Sequence, residues 1–352
     1  MTAGQAMAAA VYDLNALLTS AWWAEEAPVH PDEWRGRLAV FYVRCMVWLM
    51  RRLPSRDMRS PDYDWEGTRR RFARFEGVAA KFPRDVARAD ADDIPVPSEW
   101  FGDTARRIGN SAARTVLYVH GGSYVLERNA LHDVLAAHIA RESDARVLSV
   151  DYRLAPEHPF PSGVEDIVAA YRHLLATGTP AGRIAVVGDS AGGGLALAAL
   201  VAMRDRGIPM PAAFSALSPW ADLTFSGGSV IYNANSDPFM SDVEFVSVCA
   251  ELYLQGHSPL VPLASPALAD LHGMPPTLVH VGSTDLLLDD SRRIVDGIRA
   301  AGGRARLDIW RNMPHVWQRL AAYIPEASDS LASIGQFLKA AIPDPHFGDM
   351  AA

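Results

Sequence analysis

Two patterns of apolar residues divide this chain at about Ile94. Beyond that residue, short apolar runs rich in β-branched side chains alternate with longer stretches of helical periodicity. Nearly continuous apolar strands, each followed by a helix, are typical of a parallel sheet covered on both faces. The predicted strands cover residues 115–119, 146–150, 184–187, 214–217, 277–281 and 306–309, and the predicted helices cover 130–142, 163–176, 191–206, 289–301 and 328–341.

The residues before Ile94 and a segment near residue 240 do not follow this alternation. The early part predicts helices over 33–53 and 65–82, each ended by a proline. The later segment is irregular apart from one helix-like piece at 242–254. We therefore predict an N-terminal helical cap segment over 1–92, an α/β core over 93–220, a second cap or insertion over 221–265, and the rest of the core over 266–352.

The charge distribution gives no sign of a nucleic-acid partner. The net charge of the 352 residues is −8, and Lys81 and Lys339 are the only lysines. The one cluster of positive charge is the arginine run 69–71 with Arg74, in a predicted helix, and such a run usually forms a solvated helix face. Because a basic stripe is lacking, we predict that the protein does not bind nucleic acid.

Cysteine usage and the apolar stretches bear on location. Cys45 and Cys249 have no C-x-x-C partner, so we predict neither a disulfide framework nor a zinc site, and a cytoplasmic location. The N-terminus lacks a basic n-region, which predicts no signal peptide. The apolar stretch 38–50 contains Arg44 and is too short to cross a bilayer. We expect an amphipathic lid helix there, with interfacial membrane contact as the alternative.

The strongest chemical signal surrounds Ser190. Residues 188–192 read Gly-Asp-Ser-Ala-Gly, which matches G-x-S-x-G, and they stand between a predicted strand and a predicted helix. In a nucleophile elbow this sharp turn aims the serine hydroxyl out of the end of the sheet. A plain strand-to-helix turn is the alternative, because small residues often follow strands.

A glycine-rich loop after strand 115–119 supports the elbow. Residues 120–124 read His-Gly-Gly-Ser-Tyr, and the glycines let backbone N–H groups approach a developing oxyanion. With the amide of Ala191, the amides of Gly121 and Gly122 are the candidate oxyanion hole. An ordinary glycine-rich turn is the alternative.

A base and an orienting acid are expected after the nucleophile, in the order Ser, Asp, His. His315 lies in a loop after the last predicted strand, where its imidazole can reach back to the serine. Asp285 follows strand 277–281, at a carboxyl end where reactive groups of parallel sheets collect. Asp289 and Asp290 remain rivals for the acid, although they look like first-turn residues of the next helix.

Taken together, these motifs resemble those of the bacterial hormone-sensitive-lipase-like esterases, the fold-3 group of α/β-hydrolases. The resemblance covers the chain from about Ile94 onward. The matching text is His-Gly-Gly at 120–122, Asp-Tyr-Arg-Leu-Ala-Pro-Glu-His-Pro-Phe-Pro at 151–161, Gly-Asp-Ser-Ala-Gly-Gly at 188–193, Ser-Pro-Trp at 218–220 with Asp222, and Met-Pro-His at 313–315.

The resemblance implies an α/β-hydrolase fold with a mostly parallel eight-stranded sheet, helices on both faces and a helical cap. It implies that residues 152–161 are structural and hold the oxyanion loop. Ser123 departs from the family pattern, which often has a third glycine there. The family's catalytic triad falls on Ser190, Asp285 and His315, and its oxyanion donors fall on Gly121, Gly122 and Ala191.

The implied activity is that of a serine carboxylesterase acting on short- to medium-chain acyl esters, without metal or cofactor. A lactone hydrolase with the same triad is an open alternative. A non-catalytic small-molecule binder is another, since the plant gibberellin receptors resemble this family but have lost the triad histidine. Whether the chain forms a homodimer is also open. The predicted walls of an apolar substrate pocket, each with core packing as the alternative, are Tyr124, Trp220, Phe239 and Met240.

Overall fold

The computed structural model describes residues 58–60, 62–102, 114–234, 236–237, 239–240 and 243–343. The predicted helix over 33–53, with Cys45, lies outside the described residues. Among the described helices none is long and apolar enough to span a membrane.

The described residues form an eight-stranded sheet in the order β1-β2-β4-β3-β5-β6-β7-β8, as the resemblance implied. β1 pairs antiparallel with β2, β2 pairs antiparallel with β4, and the remaining five pairs are parallel. Six strands agree with the predicted ones to within two residues. The strands are β1 (Ala87–Asp90), β2 (Ser98–Gly102), β3 (Thr115–Val119), β4 (Arg146–Val150), β5 (Ile184–Asp189), β6 (Ala213–Leu217), β7 (Thr277–Gly282) and β8 (Ala305–Trp310).

The two strands that the apolar pattern did not predict lie at one edge of the sheet. All four residues of β1 are exposed, so the strand shows no alternation of apolar and polar positions. Its pairing with β2 corrects one predicted boundary, because the core sheet begins before residue 93 and within the segment 1–92 that was predicted as cap.

Helices cover both faces of the sheet. The described helices are α1 (Trp65–Ala79), α2 (Ala130–Ser143), α3 (Ser162–Ala176), α4 (Ala191–Asp205), α5 (Ser229–Tyr232), α6 (Val243–Leu254), α7 (Leu288–Ala300) and α8 (Pro325–Ala341). The last begins three residues earlier than predicted, since Pro325 suits the first turn of a helix.

Two buried clusters fill the space between sheet and helices. Helices α3, α4 and α7 pack on one face, and α2 and α8 pack on the other. Successive residues of β3 point alternately into the two clusters, as a strand's period of two requires: Leu117 belongs to the first, Val116 and Tyr118 to the second. This arrangement leaves the carboxyl ends of the parallel strands available for a site.

The two segments outside the regular alternation contact each other. The ring of Phe72 in α1 stacks on that of Phe245 in α6 at 5.9 Å between centroids, and Arg59 pairs with Glu251. One residue of the predicted solvated arginine run is buried instead. Arg69 donates to the carbonyl oxygens of loop residues and pairs with a glutamate, so part of α1 is fixed to the core.

Candidate active site

Ser190 stands at a strained turn between β5 and α4. Its φ of 53° lies in the left-handed region, and its N–H donates to the Leu217 carbonyl at 2.9 Å. Close approach explains a neighbouring glycine, because a Cβ on Gly192 would lie 2.2 Å from the Val119 oxygen. Non-glycine residues adopt a left-handed conformation such as that of Ser190 only where the surroundings enforce it, and such positions cluster at functional sites.

His315 joins the serine to an acid. The Ser190 hydroxyl lies 2.8 Å from His315 Nε2, and His315 Nδ1 lies 3.2 Å from Asp285 Oδ2 and 3.3 Å from Oδ1. An acid on the Nδ1 side favours the tautomer with its proton on Nδ1, so that Nε2 accepts from the serine. Gly282, at the end of β7, lets the histidine loop approach, because a Cβ there would be 1.9 Å from the Met313 oxygen.

The environment also sets the basicity of the imidazole. Burial alone would lower the pKa of His315, but the charge and hydrogen bond of Asp285 outweigh it. The pKa of His315 is therefore raised above the ordinary value for histidine. A base with a raised pKa accepts the serine proton more readily.

The geometry separates Asp285 from its two rivals. Asp285 is fully buried and accepts the Leu287 N–H at 2.9 Å in addition to facing the histidine. Asp289 instead accepts the Ser229 N–H and pairs with Arg292. The carboxylate of Asp290 accepts two N–H groups of the loop after β6. The structure therefore brings Asp285 to the imidazole, whereas Asp289 and Asp290 form hydrogen bonds elsewhere.

The oxyanion loop differs in one respect from its predicted role. The Gly121 N–H donates to Asp189 Oδ1 at 3.0 Å and is thus engaged within the protein, so Gly121 is corrected from a direct oxyanion donor. Within the described part of the chain, the N–H groups of Gly122, Ser123 and Ala191 have no acceptor. Ser123 has a φ of 54°, in the left-handed region.

The Asp189 carboxylate holds the oxyanion loop in place, and this role was not predicted from the sequence. The carboxylate is fully buried and accepts from the Tyr118 hydroxyl at 2.5 Å and from Arg319 at 2.6 Å, besides Gly121. A Cβ on Gly121 would lie 2.6 Å from Asp189 Oδ2. An acid at the last position of a buried strand needs a partner, and that was the available signal.

The segment after β4 supports the same loop, as the resemblance implied. The Tyr152 hydroxyl donates to the His120 carbonyl at 2.8 Å, and the two rings stack at 4.5 Å between centroids. Arg69 donates to the carbonyls of Val125 and Ala155 at the other end of the loop. These contacts fix the backbone on which the unengaged N–H groups are mounted.

A second buried acid near the site, Asp237, was also not predicted from the sequence. Its Oδ2 accepts the backbone N–H of His315 at 3.1 Å. Asp237, Asp285 and His315 have donor atoms within 4.8 Å of one another, which is a spacing that can hold a cation. Those atoms are already engaged in hydrogen bonds within the protein, an arrangement that suits proton transfer better than coordination. The absence of a metal or cofactor stays a prediction.

The predicted pocket walls divide into two kinds. Tyr124 and Trp220 are buried in the core, where the Tyr124 hydroxyl donates to the Trp220 carbonyl at 2.6 Å and its ring stacks on Tyr253. Core packing is thus the better description of these two. Met240 is buried and Phe239 is 40% exposed, and their part in a pocket stays a prediction.

A cavity of about 470 Å³ adjoins the oxyanion loop on the β4 side. None of the predicted wall residues lines it, and its lining is charged rather than apolar. The lining residues are Arg69, His120, Glu127, Arg128, Asp151, Tyr152, Leu154, Glu157 and His158.

Comparisons with known proteins identify the family of this chain. A family profile described as alpha/beta hydrolase fold matches residues 116–319. The chain is 45% identical over 244 residues to an acetyl-hydrolase of Streptomyces hygroscopicus, covering 69% of this chain and 80% of that protein. It is 35% identical over 228 residues to an esterase of Acinetobacter venetianus, covering 64% and 75% respectively.

Solved structures give the same result. A crystal structure of an esterase from the bacterial hormone-sensitive lipase family has a TM-score of 0.79 and 42% identity, covering 89% of this chain and all of that chain. The structure of EstE5 soaked with p-nitrophenyl butyrate has a TM-score of 0.78 and 35% identity, with the same coverage. The fold and the relatives define a carboxylic ester hydrolase of the serine carboxylesterase class. The chain belongs to the bacterial hormone-sensitive lipase family of α/β-hydrolase-fold proteins.

Proposed function

We propose that this esterase hydrolyses short- to medium-chain acyl esters through an acyl-enzyme on Ser190. The observation that carries the proposal is the continuous line of hydrogen-bonding groups from Ser190 Oγ through His315 to Asp285, with 2.8 Å between the serine and the imidazole. A serine hydroxyl is a weak nucleophile unless an adjacent base accepts its proton.

The reaction follows from this arrangement in two steps. His315 Nε2 takes the hydroxyl proton as Ser190 Oγ attacks the ester carbonyl carbon, which gives a tetrahedral oxyanion. The intermediate collapses to the acyl-enzyme, and the departing alcohol takes the proton from His315. Water then attacks the acyl carbon with His315 again as base, which releases the acid and restores the serine. Asp285 stabilises the imidazolium in both steps.

The oxyanion is assigned to the amides of Gly122, Ser123 and Ala191. Their support is that each N–H has no acceptor within the described residues, whereas that of Gly121 is engaged by Asp189. Each donor directed at the oxyanion contributes about 2.7–4 kcal/mol to lowering the barrier. Gly121 acts through the loop conformation instead.

The test compares Ser190→Ala with the matched variant Ser330→Ala on p-nitrophenyl butyrate. Ser330 is a fully buried serine in α8 that also hydrogen-bonds a histidine, His280, at 2.8 Å. We expect Ser190→Ala to be inactive and Ser330→Ala to keep its turnover. A folded Ser190→Ala enzyme with wild-type turnover would refute the proposal.

The acyl-chain preference rests on resemblance and on the butyrate ester recorded for EstE5. A panel of C2 to C16 p-nitrophenyl esters tests it, and higher kcat/KM on C16 than on C4 would contradict it. Lactones belong in the same panel, because the triad is compatible with opening a cyclic ester.

Two further expectations stay proposals. We propose a cytoplasmic location, supported by the two cysteines without C-x-x-C spacing. Cell fractionation tests it. A homodimer is the alternative to a monomer, and sedimentation of the purified protein distinguishes them.

A further inference from the structure

We infer that the insertion between β6 and β7 sets the geometry of the triad, with Asp237 as a positioning residue for the loop of the base. This inference rests on the proposed role of His315. It adds Asp237, which lies outside the sequence motifs that contain the triad residues.

The contacts of Asp237 lie on both sides of its carboxylate. Oδ2 accepts the His315 N–H at 3.1 Å, while Oδ1 accepts the N–H of Phe239 at 2.9 Å and that of Met240 at 3.4 Å. The side chain is almost completely buried. Because every partner is a donor, the carboxylate is the group that fits, and an asparagine would turn its amide toward one of the N–H groups.

The same insertion also holds the loop of the acid. Asn233 Nδ2 donates to the Asp285 carbonyl at 2.8 Å and to the Ser283 carbonyl at 3.2 Å. Ser229 Oγ donates to the Leu286 carbonyl at 2.7 Å. One short segment thus contacts the backbone of both loops that meet at the imidazole.

The loop of the base needs such support. Val316, directly after the histidine, has φ 43° and ψ 47°, in the left-handed region that β-branched residues rarely enter. Such a conformation persists only where the surroundings fix it. Two hydrogen bonds hold this loop. The His315 N–H donates to Asp237, and the Val316 N–H donates to Ser218 Oγ at 3.2 Å.

Asp237 also acts through its charge. Burial, followed by the charge of Asp285, raises the pKa of Asp237 to about 7. The charged groups facing His315 are Asp285 from the loop after β7, Asp237 from the insertion, and Arg319 from the turn after its own loop. The two carboxylates raise the pKa of His315 and the arginine lowers it. Removing the Asp237 charge therefore lowers the pKa of the base.

The experiment measures pH profiles of kcat and kcat/KM on p-nitrophenyl butyrate for Asp237→Asn and a matched control, Asp290→Asn. Asp290 is a buried acid that also accepts two N–H groups but does not touch His315. We expect Asp237→Asn to lose about 10- to 100-fold in kcat, as when a reacting group is misplaced by about 1 Å, with KM little changed. Its acid limb moves to lower pH, and that of Asp290→Asn stays in place.

Asn233→Ala separates contact from charge. This variant removes the donors to the acid loop but no charge, so we expect a lower kcat with an unmoved acid limb. Wild-type kcat and an unmoved acid limb in Asp237→Asn would overturn the inference, whereas active Ser190→Ala would refute the proposed function. Should Asp237→Asn fail to fold, fluorophosphonate labelling of folded Asn233→Ala decides, and a wild-type labelling rate counts against the inference.

Discussion

Among the residues that the structure describes, a serine, a histidine and an aspartate meet by hydrogen bonds in two places. One is the proposed triad at the carboxyl ends of the strands. The other lies between the sheet and α8, where Ser330 Oγ is 2.8 Å from His280 Nδ1 and His280 Nε2 is 3.3 Å from Asp308 Oδ2. The distances in the two clusters are nearly the same.

Their surroundings differ in what a reaction needs. His280 and Asp308 lie within β7 and β8, all three residues of the inner cluster are fully buried, and Ser330 also accepts from Gln318. Ser190 instead stands on a strained turn, beside N–H groups that have no acceptor among the described residues. A serine, a histidine and an aspartate in contact therefore do not by themselves define a hydrolase. The backbone that presents them at the end of the sheet supplies access and the oxyanion site.

The largest expected effect is the difference in kcat between His315→Ala and His280→Ala, which each remove the histidine of one cluster. His315→Ala removes the base, so kcat should fall by about 10⁶-fold, the scale known for a triad histidine. His280→Ala should leave kcat of the folded enzyme close to wild type and lower its stability, because buried groups lose their partner. Kinetics and thermal unfolding measure the two effects. A loss of activity in folded His280→Ala would erase the distinction between the clusters.

The acid of the triad is next. Asp285→Asn should reduce kcat by about 10⁴-fold, since an amide no longer selects the productive tautomer. Asp290→Asn should change kcat little, because Asp290 does not contact His315 and an amide oxygen can still accept the two N–H groups that Asp290 Oδ2 accepts. Steady-state kinetics at pH 7 measure both values of kcat. Equal losses of kcat in the two variants would contradict the role of Asp285 as the acid of the triad.

The third effect concerns the carboxylate behind the oxyanion loop. Asp189→Asn leaves one acceptor oxygen for three donors, so the loop shifts and kcat should fall by about 100-fold. Asp308→Asn, which changes the fully buried acid of the inner cluster, should lower the free energy of unfolding by about 3 kcal/mol or more with kcat intact. Denaturant titration together with kinetics separates the two effects, and unchanged kcat in Asp189→Asn would show that this carboxylate does not support the oxyanion loop.

The pH dependence tests the raised pKa of the base. His315 must be neutral to accept a proton, and its pKa is raised above the usual value for histidine. Activity should therefore be lost as the pH falls through that raised pKa, with the acid limb of kcat/KM above about pH 6.5. Asp285→Asn should move the limb to lower pH. A limb below the usual histidine range in the wild type would contradict this assignment.

The smallest effect lies in the oxyanion loop itself. Ser123→Gly relieves a left-handed backbone conformation, so the free energy of unfolding should rise by about 0.5–1 kcal/mol with kcat unchanged. Gly122→Ala should do the opposite, because its Cβ would lie 2.5 Å from the Leu126 oxygen. Denaturant unfolding of both variants checks the pair, and a destabilised Ser123→Gly would show that the serine side chain matters.

The sequence predicted those parts of the molecule that local patterns encode. The six parallel strands are buried and rich in apolar residues, and Ser190, Asp285 and His315 each follow a strand within a recognisable motif. β1 was missed because an exposed edge strand has no apolar pattern, and its four residues are all exposed.

The rest of the site depends on contacts between distant residues. Asp237 lies 78 residues before His315 in an irregular segment, and only the fold brings them together. The direction of the Gly121 N–H depends on backbone angles that glycine leaves open in sequence. Arg69 was expected in solvent because its neighbours are charged, although the helix turns that one position inward.

The most direct test of the central claim is to label the enzyme with a fluorophosphonate and locate the adduct by mass spectrometry. We expect an adduct on Ser190 and none on Ser330, with labelling lost in Ser190→Ala and strongly slowed in His315→Ala. An adduct on another serine, or no adduct on an enzyme that hydrolyses p-nitrophenyl butyrate, would contradict it.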